Sequence, residues 1–248
     1  VRAVREATAI LRGRGANVIE LDAVEVERMF SASEAFDLYC ALIGADGAAD
    51  ARRLSHGSQI DPRVARLMWI AGLSAPLRAI VVAGLKATGQ EWMARLASNA
   101  RPRSADAYWQ LVERKNQLVS RVFKQLRERR IDVLLCPPHA LPATPHIKAF
   151  DLLAAASYSL LINLLGLPTG AVALTRVQAD EIASRPNSHD QVSKSAQAAD
   201  VGSVGLPIGV QVSALPWRED VVQAVMQAIA ACQAINPSYP ATCAVPPL

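Results

Sequence analysis

The 248-residue chain contains no Ser-Ser pair, no Gly-Gly pair, no G-x-S-x-G elbow and no C-x-x-C pair. The missing elbow excludes the hydrolase design that mounts its serine on a strand-to-helix turn. Cys40, Cys136, Cys232 and Cys243 lie far apart, which argues against a zinc knuckle or dense disulfide framework and suits a reducing compartment. His56, His139, His146 and His189 lack metal-ligand spacing, so no metal is expected, and no motif calls for a cofactor. His139 and His146, in a proline-rich loop, read as surface histidines. Lysine is scarce, five of the 26 basic residues, and 22 acidic residues leave a net charge of only +4. Outside residues 63–95 no basic stripe is interleaved with aromatics, so nucleic acid is not an expected partner. No apolar run reaches the ~20 residues of a spanning helix. No secretory n-region or cleavage site is present, and residues 2–15 read as the middle of a helix, so the chain reads as starting inside a fold.

What is present suits one large or two small globular domains, with 51% hydrophobic and 19% charged residues. Val4, Ala7 and Leu11 before Gly13 and Gly15 predict a short helix, and Asn17 to Leu21 a strand. Residues 23–47 predict one or two helices ending near Gly44 and Gly47. Ser104 is the expected N-cap of a long helix carrying Tyr108, Leu111, Leu118, Val122 and Leu126 at helical spacing. Ile131 to Leu135 is apolar apart from Asp132. It predicts a strand covered on both faces and paired in parallel, ended by Cys136-Pro137-Pro138.

Further on, Phe150 to Leu165 reads as an apolar helix and Ala171 to Val177 as a strand. Residues 178–204 read as a polar, exposed excursion. Ile208, Val210 and Val212 alternate with Gly209, Gln211 and Ser213 in a further strand, which leads to a helix from about Arg218. The proline-containing tail after Asn236 reads as irregular. Cys136 reads as a structural thiol at a strand end, and Asn163 and Gln211 as amides that satisfy backbone groups.

Residues 63–95 hold two apolar runs, Leu67 to Ala71 and Ala79 to Ala83, broken by Pro76 and Arg78. Arg63, Arg66, Arg78, Lys86 and Arg95 outnumber Glu91, and Trp69 and Trp92 are interleaved. That composition fits helices lying in a lipid interface, while apolar helices are usually core, so from the residues alone a buried helix pair is the favoured reading.

Five strings, in order over about residues 60 to 235, resemble the amidase-signature family. They are Arg101-Pro-Arg-Ser-Ala105, Asp132 to Pro137, Ser157-Tyr158 through Asn163, Leu167-Pro-Thr-Gly170, and Gly205 through Trp217. RPRSA and the Ala-Leu-Pro-Trp of the last string favour the fatty acid amide hydrolase branch. The resemblance implies an α/β fold, with a mixed, twisted sheet sandwiched by helices and a helix-rich N-terminal half. Residues 1–248 would then be the C-terminal part of an amidase-signature domain, with 64–96 as an apolar helical cap and 178–204 as the polar excursion. It also implies a Ser nucleophile, a relay Ser and a Lys base upstream of residue 1. No catalytic residue is therefore expected here, and the isolated chain should not turn over.

By the same resemblance Trp69, Ile70, Leu73, Leu77, Ile80, Val81 and Trp92 form the membrane cap. Leu96, Ala100, Ala156 and Leu160 bind substrate along an acyl channel, although each also reads as plain core. Ala100 stands where the family places an aromatic and Val192 where it places a Trp, which implies a different acyl group. The implied function is the channel-forming part of a serine amidase that hydrolyses fatty acid or other lipophilic amides. The alternative is a non-catalytic lipid-binding or interaction protein derived from that fold. Expected partners are a lipophilic amide and a membrane surface, with a homodimer open, and the expected location is intracellular and peripheral to a membrane.

Overall fold

The computed structural model describes residues 1–146, 148–182, 185 and 188–233. The irregular tail read after Asn236, Cys243 included, lies outside the described residues, as does Pro186. Helix α1 (Arg2–Gly13) buries Ala3 and Ala7 and stops before Gly15, whose φ of +90° suits a residue without Cβ. Asn17 to Leu21 forms no strand, which corrects the expectation. Ile19 is 51% exposed and Leu21 packs on the helical core, and the stretch has no ladder partner.

Asp22 starts α2 (Ala23–Phe30) with a reciprocal capping box: Glu25 N donates to Asp22 Oδ1 at 2.8 Å, and Asp22 N donates to Glu25 Oε2 at 3.1 Å. Ser31 turns left-handed into α3 (Ala32–Ile43), so two helices fill 23–47. Five helices follow: α4 (Ala49–Leu54), α5 (Pro62–Ala71), α6 (Ala75–Ala87), α7 (Glu91–Asn99) and α8 (Ala105–Glu128). Ser104 caps α8 by accepting from Ala107 N at 3.2 Å. Its stripe of Leu111, Leu118, Val122 and Leu126 is buried against Met29, Leu38, Ile162 and Leu165, which makes the larger core. Tyr108, on the same spacing, stays 40% exposed.

The sheet contains β1 (Val133–Cys136), β2 (Thr169–Arg176) and β3 (Pro207–Ala214) in the order β1-β3-β2. Both ladders are antiparallel, from Val133 opposite Ala214 to Cys136 opposite Gln211, and from Thr169 opposite Ser213 to Arg176 opposite Pro207. The parallel pairing expected for β1 is corrected. β1 and β2 do run the same way, joined through α9 (Ser157–Leu165), but β3 enters between them. β1 is half-buried along its length rather than covered on both faces. The central strand β3 carries that pattern, with Val210, Gln211, Val212 and Ser213 all buried. Helices α1 and α11 (Glu219–Gln233) cover one face through Ala3, Ala7, Val222 and Ile229 against Val210 and Val212.

Two segments depart from the sequence reading. The helix read from Phe150 to Leu165 starts only at α9: two short 3-10 turns, Lys148–Asp151 and Leu153–Ala156, precede it. Leu152 between them turns inward, 2% exposed. The excursion is not wholly exposed: it contains a 3-10 turn, Ala179–Glu181, and α10 (Gln191–Val201), capped by Asp190 through Ser193 N. Val192, Ala196 and Ala199 of α10 pack on Leu141 and Leu152, a helical stripe whose small residues gave little hydropathic signal.

Candidate functional site

Three helices converge beside the helical core. Phe36 and Cys40, one turn apart on α3, pack with Leu160 of α9, and Leu96 of α7, Ala154, Ala156 and Tyr39 close around them. Three of the four expected substrate-binding residues, Leu96, Ala156 and Leu160, thus meet in one apolar cluster. Ala100 stands apart from it, after α7, pressed on Gly44 at the end of α3. A Cβ on Gly44 would lie 2.5 Å from Ala100 Cα, so the approach of the α3 end to the α7 end requires glycine.

A polar rim fixes these helices. Asp37 Oδ1 accepts from Arg95 Nε at 2.6 Å and from Asn99 Nδ2 at 2.7 Å, and an Arg95 terminal nitrogen donates to the Ser33 carbonyl at 2.7 Å. The Arg95 guanidinium lies 5.0 Å from the Phe36 ring centre and 5.6 Å from that of Trp92, and the two rings meet edge to face at 5.8 Å. Burial pushes the Cys40 thiol up to about 11, helped by Asp37 and opposed by Arg95, so it faces the cluster as a neutral group.

The cap residues divide. Trp69, Leu77, Ile80 and Trp92 are exposed, Ile80 at 69%, and Val81 is half-buried. Ile70 and Leu73, expected with them in the membrane cap, are 6% and 5% exposed. Both lie at the corner where α5 turns into α6, and a corner buries its inner side. The pair bends by 118°, and among the described residues no single helix is long and apolar enough to cross a membrane.

Beneath that corner Arg78 is buried, 6% exposed. Its two terminal nitrogens donate to five carbonyls: Ile70 at 3.3 Å, Ala71 at 3.2 Å, Leu73 at 2.7 Å, Ala97 at 3.0 Å and Ala100 at 2.6 Å. These carbonyls lie at or just past the ends of α5 and α7, where backbone acceptors have few intrahelical partners and the helix dipole is negative. Desolvation, with Arg101 nearby, pulls the guanidinium pKa below its ordinary value. From the sequence Arg78 reads as a break in an apolar run and as one of the basic residues of a lipid-facing segment. The available signal was that Arg78 is the one charged residue between Arg66 and Lys86, with no acidic residue between positions 62 and 90.

At the end of β1, buried Gln211 donates to Cys136 Sγ at 3.6 Å and accepts from Ser159 Oγ at 3.1 Å, joining β3, β1 and α9. Burial pushes the Cys136 thiol up to about 11, partly offset by Gln211. Asn163 is exposed, its amide 3.5 Å from Tyr39 Oη. A cavity of about 780 Å³ opens here, lined by Pro137, His139, Tyr158, Arg2 and Glu181 among others. His139 Nδ1 accepts from Leu141 N at 3.2 Å. Among the described residues no serine or threonine hydroxyl hydrogen-bonds a lysine or histidine side chain, and no three metal-binding side chains gather. The described residues supply no nucleophile with a base in reach.

Fatty acid amide hydrolase 1 of Caenorhabditis elegans is 37% identical over 102 residues, 40% of this chain and 18% of that protein. Fatty-acid amide hydrolase 1 of Sus scrofa is 35% identical over 141 residues, 55% of this chain and 24% of that protein. A solved fatty acid amide hydrolase superposes with a TM-score of 0.63 at 19% identity, over 93% of this chain and 36% of that one, a likeness that shows the shared α/β fold. The chain therefore spans well under half the length of these relatives. The Amidase family model matches residues 1–222, and the chain belongs to the amidase family.

Proposed function

We propose that this chain forms the acyl-binding portion of a serine amidase acting on fatty acid or other lipophilic amides at a membrane surface. The reaction is carried by a nucleophile and base outside the described residues. One observation carries the reading: Leu96, Ala156 and Leu160, from separate parts of the chain, meet Phe36 and Cys40 in a single apolar cluster. A long alkyl chain is held by burial, at about 25 cal/mol per Å² of apolar surface, and orientation is left to polar groups at its end. The exposed Trp92 meets Phe36 of that cluster, and the exposed Trp69, Leu77 and Ile80 lie on the two helices before α7, where a substrate dissolved in lipid would enter. The similarity to fatty acid amide hydrolases supports the amide as the bond cleaved.

The test is a fluorophosphonate labelling and turnover experiment on the 248-residue chain and on the same chain joined to its upstream coding sequence. The joined protein should hydrolyse a hexadecanamide and label at one serine, and the chain alone should do neither. Stoichiometric serine labelling of the chain alone, or no cleavage of any lipophilic amide by the joined protein, would overturn the reading.

A further inference from the structure

We infer that Arg78 is a positioning residue that couples the outward apolar face of α5 and α6 to the wall of the acyl cluster on α7. The inference deepens the function proposed above and rests on it.

Arg78 sits in the first turns of α6 and reaches in two directions. Toward α5 it takes the carbonyls of Ile70, Ala71 and Leu73, and toward α7 those of Ala97 and Ala100. The first set anchors the corner that carries Trp69 on one side and Leu77 and Ile80 on the other. The second set holds the end of the helix that places Leu96 in the cluster, and Ala100 N itself donates to the Leu96 carbonyl at 2.9 Å. One planar fork therefore spans both surfaces.

Burying a charge is costly, and this one is compensated by the carbonyls around it, which would be left without that donor if the guanidinium were removed. Among the described residues Arg78 forms no ion pair, so carbonyl dipoles alone compensate its charge. What the guanidinium adds is direction: five bonds from a rigid fork fix the relative place of two helix ends, and displacing one end strains the bonds to the other. The carbonyls of Ala97 and Ala100 can thus respond when lipid moves the corner, and Gly44 against Ala100 passes the movement on to α3, which carries Phe36 and Cys40. Coupling of this kind is reciprocal: whatever lipid does to amide binding, bound amide must do to lipid binding.

The experiment compares the wild-type chain with Arg78→Met and Arg78→Lys. Lysine keeps the charge but cannot reach both carbonyl sets at once. Amide hydrogen exchange is followed at residues 97–101 and, as an internal reference, in α11, with and without phosphatidylcholine vesicles. Affinity for a pyrene-labelled hexadecanamide is measured under the same two conditions. In the wild type, vesicles should change exchange at 97–101 and raise probe affinity about tenfold, a typical coupling. In both variants exchange at 97–101 should become insensitive to vesicles and the tenfold gain should vanish, while α11 exchanges as before and the vesicles still bind. An unchanged vesicle response in Arg78→Lys, with its fold intact, overturns the inference. Failure of the wild type to bind the probe counts instead against the acyl-binding function, and the exchange arm still decides whether Arg78 links the two surfaces.

Discussion

Asp37 on α3 and Arg95 on α7 form a 2.6 Å ion pair directly above the edge-to-face contact of Phe36 with Trp92. The pair is partly exposed, so its net worth is that of a surface bridge, increased by the Asn99 bond to the same carboxylate oxygen. Asp37→Ala should lower unfolding stability by about 1 kcal/mol, read as a shift in the urea midpoint with an unchanged slope. It should also loosen the α3–α7 junction and weaken hexadecanamide binding. A stability loss with full binding would separate the ion pair from the site.

Exposure distinguishes core residues from the outward face. Leu126 is 2% exposed within the helical core, and Leu126→Ala should cost about 3 kcal/mol. Ile80 is 69% exposed, and Ile80→Ser should change stability by no more than about 0.5 kcal/mol while reducing partition into phosphatidylcholine vesicles. Vesicle sedimentation beside a urea melt checks both.

Gly209 sits opposite Ala173, where the β2–β3 register shifts. A Cβ there would lie 2.2 Å from the Val172 carbonyl oxygen and 2.8 Å from Ala173 Cα, backbone atoms that cannot rotate away. Gly209→Ala should destabilise by about 2 kcal/mol and speed amide exchange in β2 more than in β1. Equal acceleration in both strands would argue against this cause.

Glu181 holds a forked bridge from Arg2, which ties α1 to the excursion and drives the Glu181 carboxyl from its ordinary 4.5 to about 2. A carboxyl depressed on folding contributes stability that is fully present above its ordinary value and is lost as pH falls through the depressed one. Wild type should therefore exceed Glu181→Gln at pH 7, with the difference shrinking below about pH 4.5 and gone near pH 2. Urea midpoints at a series of pH values decide it, and a constant difference would refute the assignment.

Periodicity revealed much of the scaffold. Helix α8 is legible because Leu111, Leu118, Val122 and Leu126 repeat at helical spacing behind a serine cap, and local pattern is sufficient for a long amphipathic helix. Pairing was harder: the apolar run at 131–135 looks alike in parallel and antiparallel sheets, and only the entry of β3 between β1 and β2 sets its direction. Helix α10 was hidden because Val192, Ala196 and Ala199 bury little surface each. In the site, Leu96, Ala156 and Leu160 came to notice through family resemblance. Phe36, Cys40 and Gly44 did not, since nothing local marks an α3 residue as the neighbour of one more than fifty positions away.

The sequence by itself determined the helix-rich start and the family, because caps, stripes and motif order are properties of neighbouring residues. Tertiary structure alone decided that β3 lies between two strands that point the same way, that Ile70 and Leu73 turn inward, and that a lone arginine spans two helix ends. Burial and hydrogen-bond reach depend on the path of the whole chain, and a buried cation finds its carbonyls only after three helices have already met.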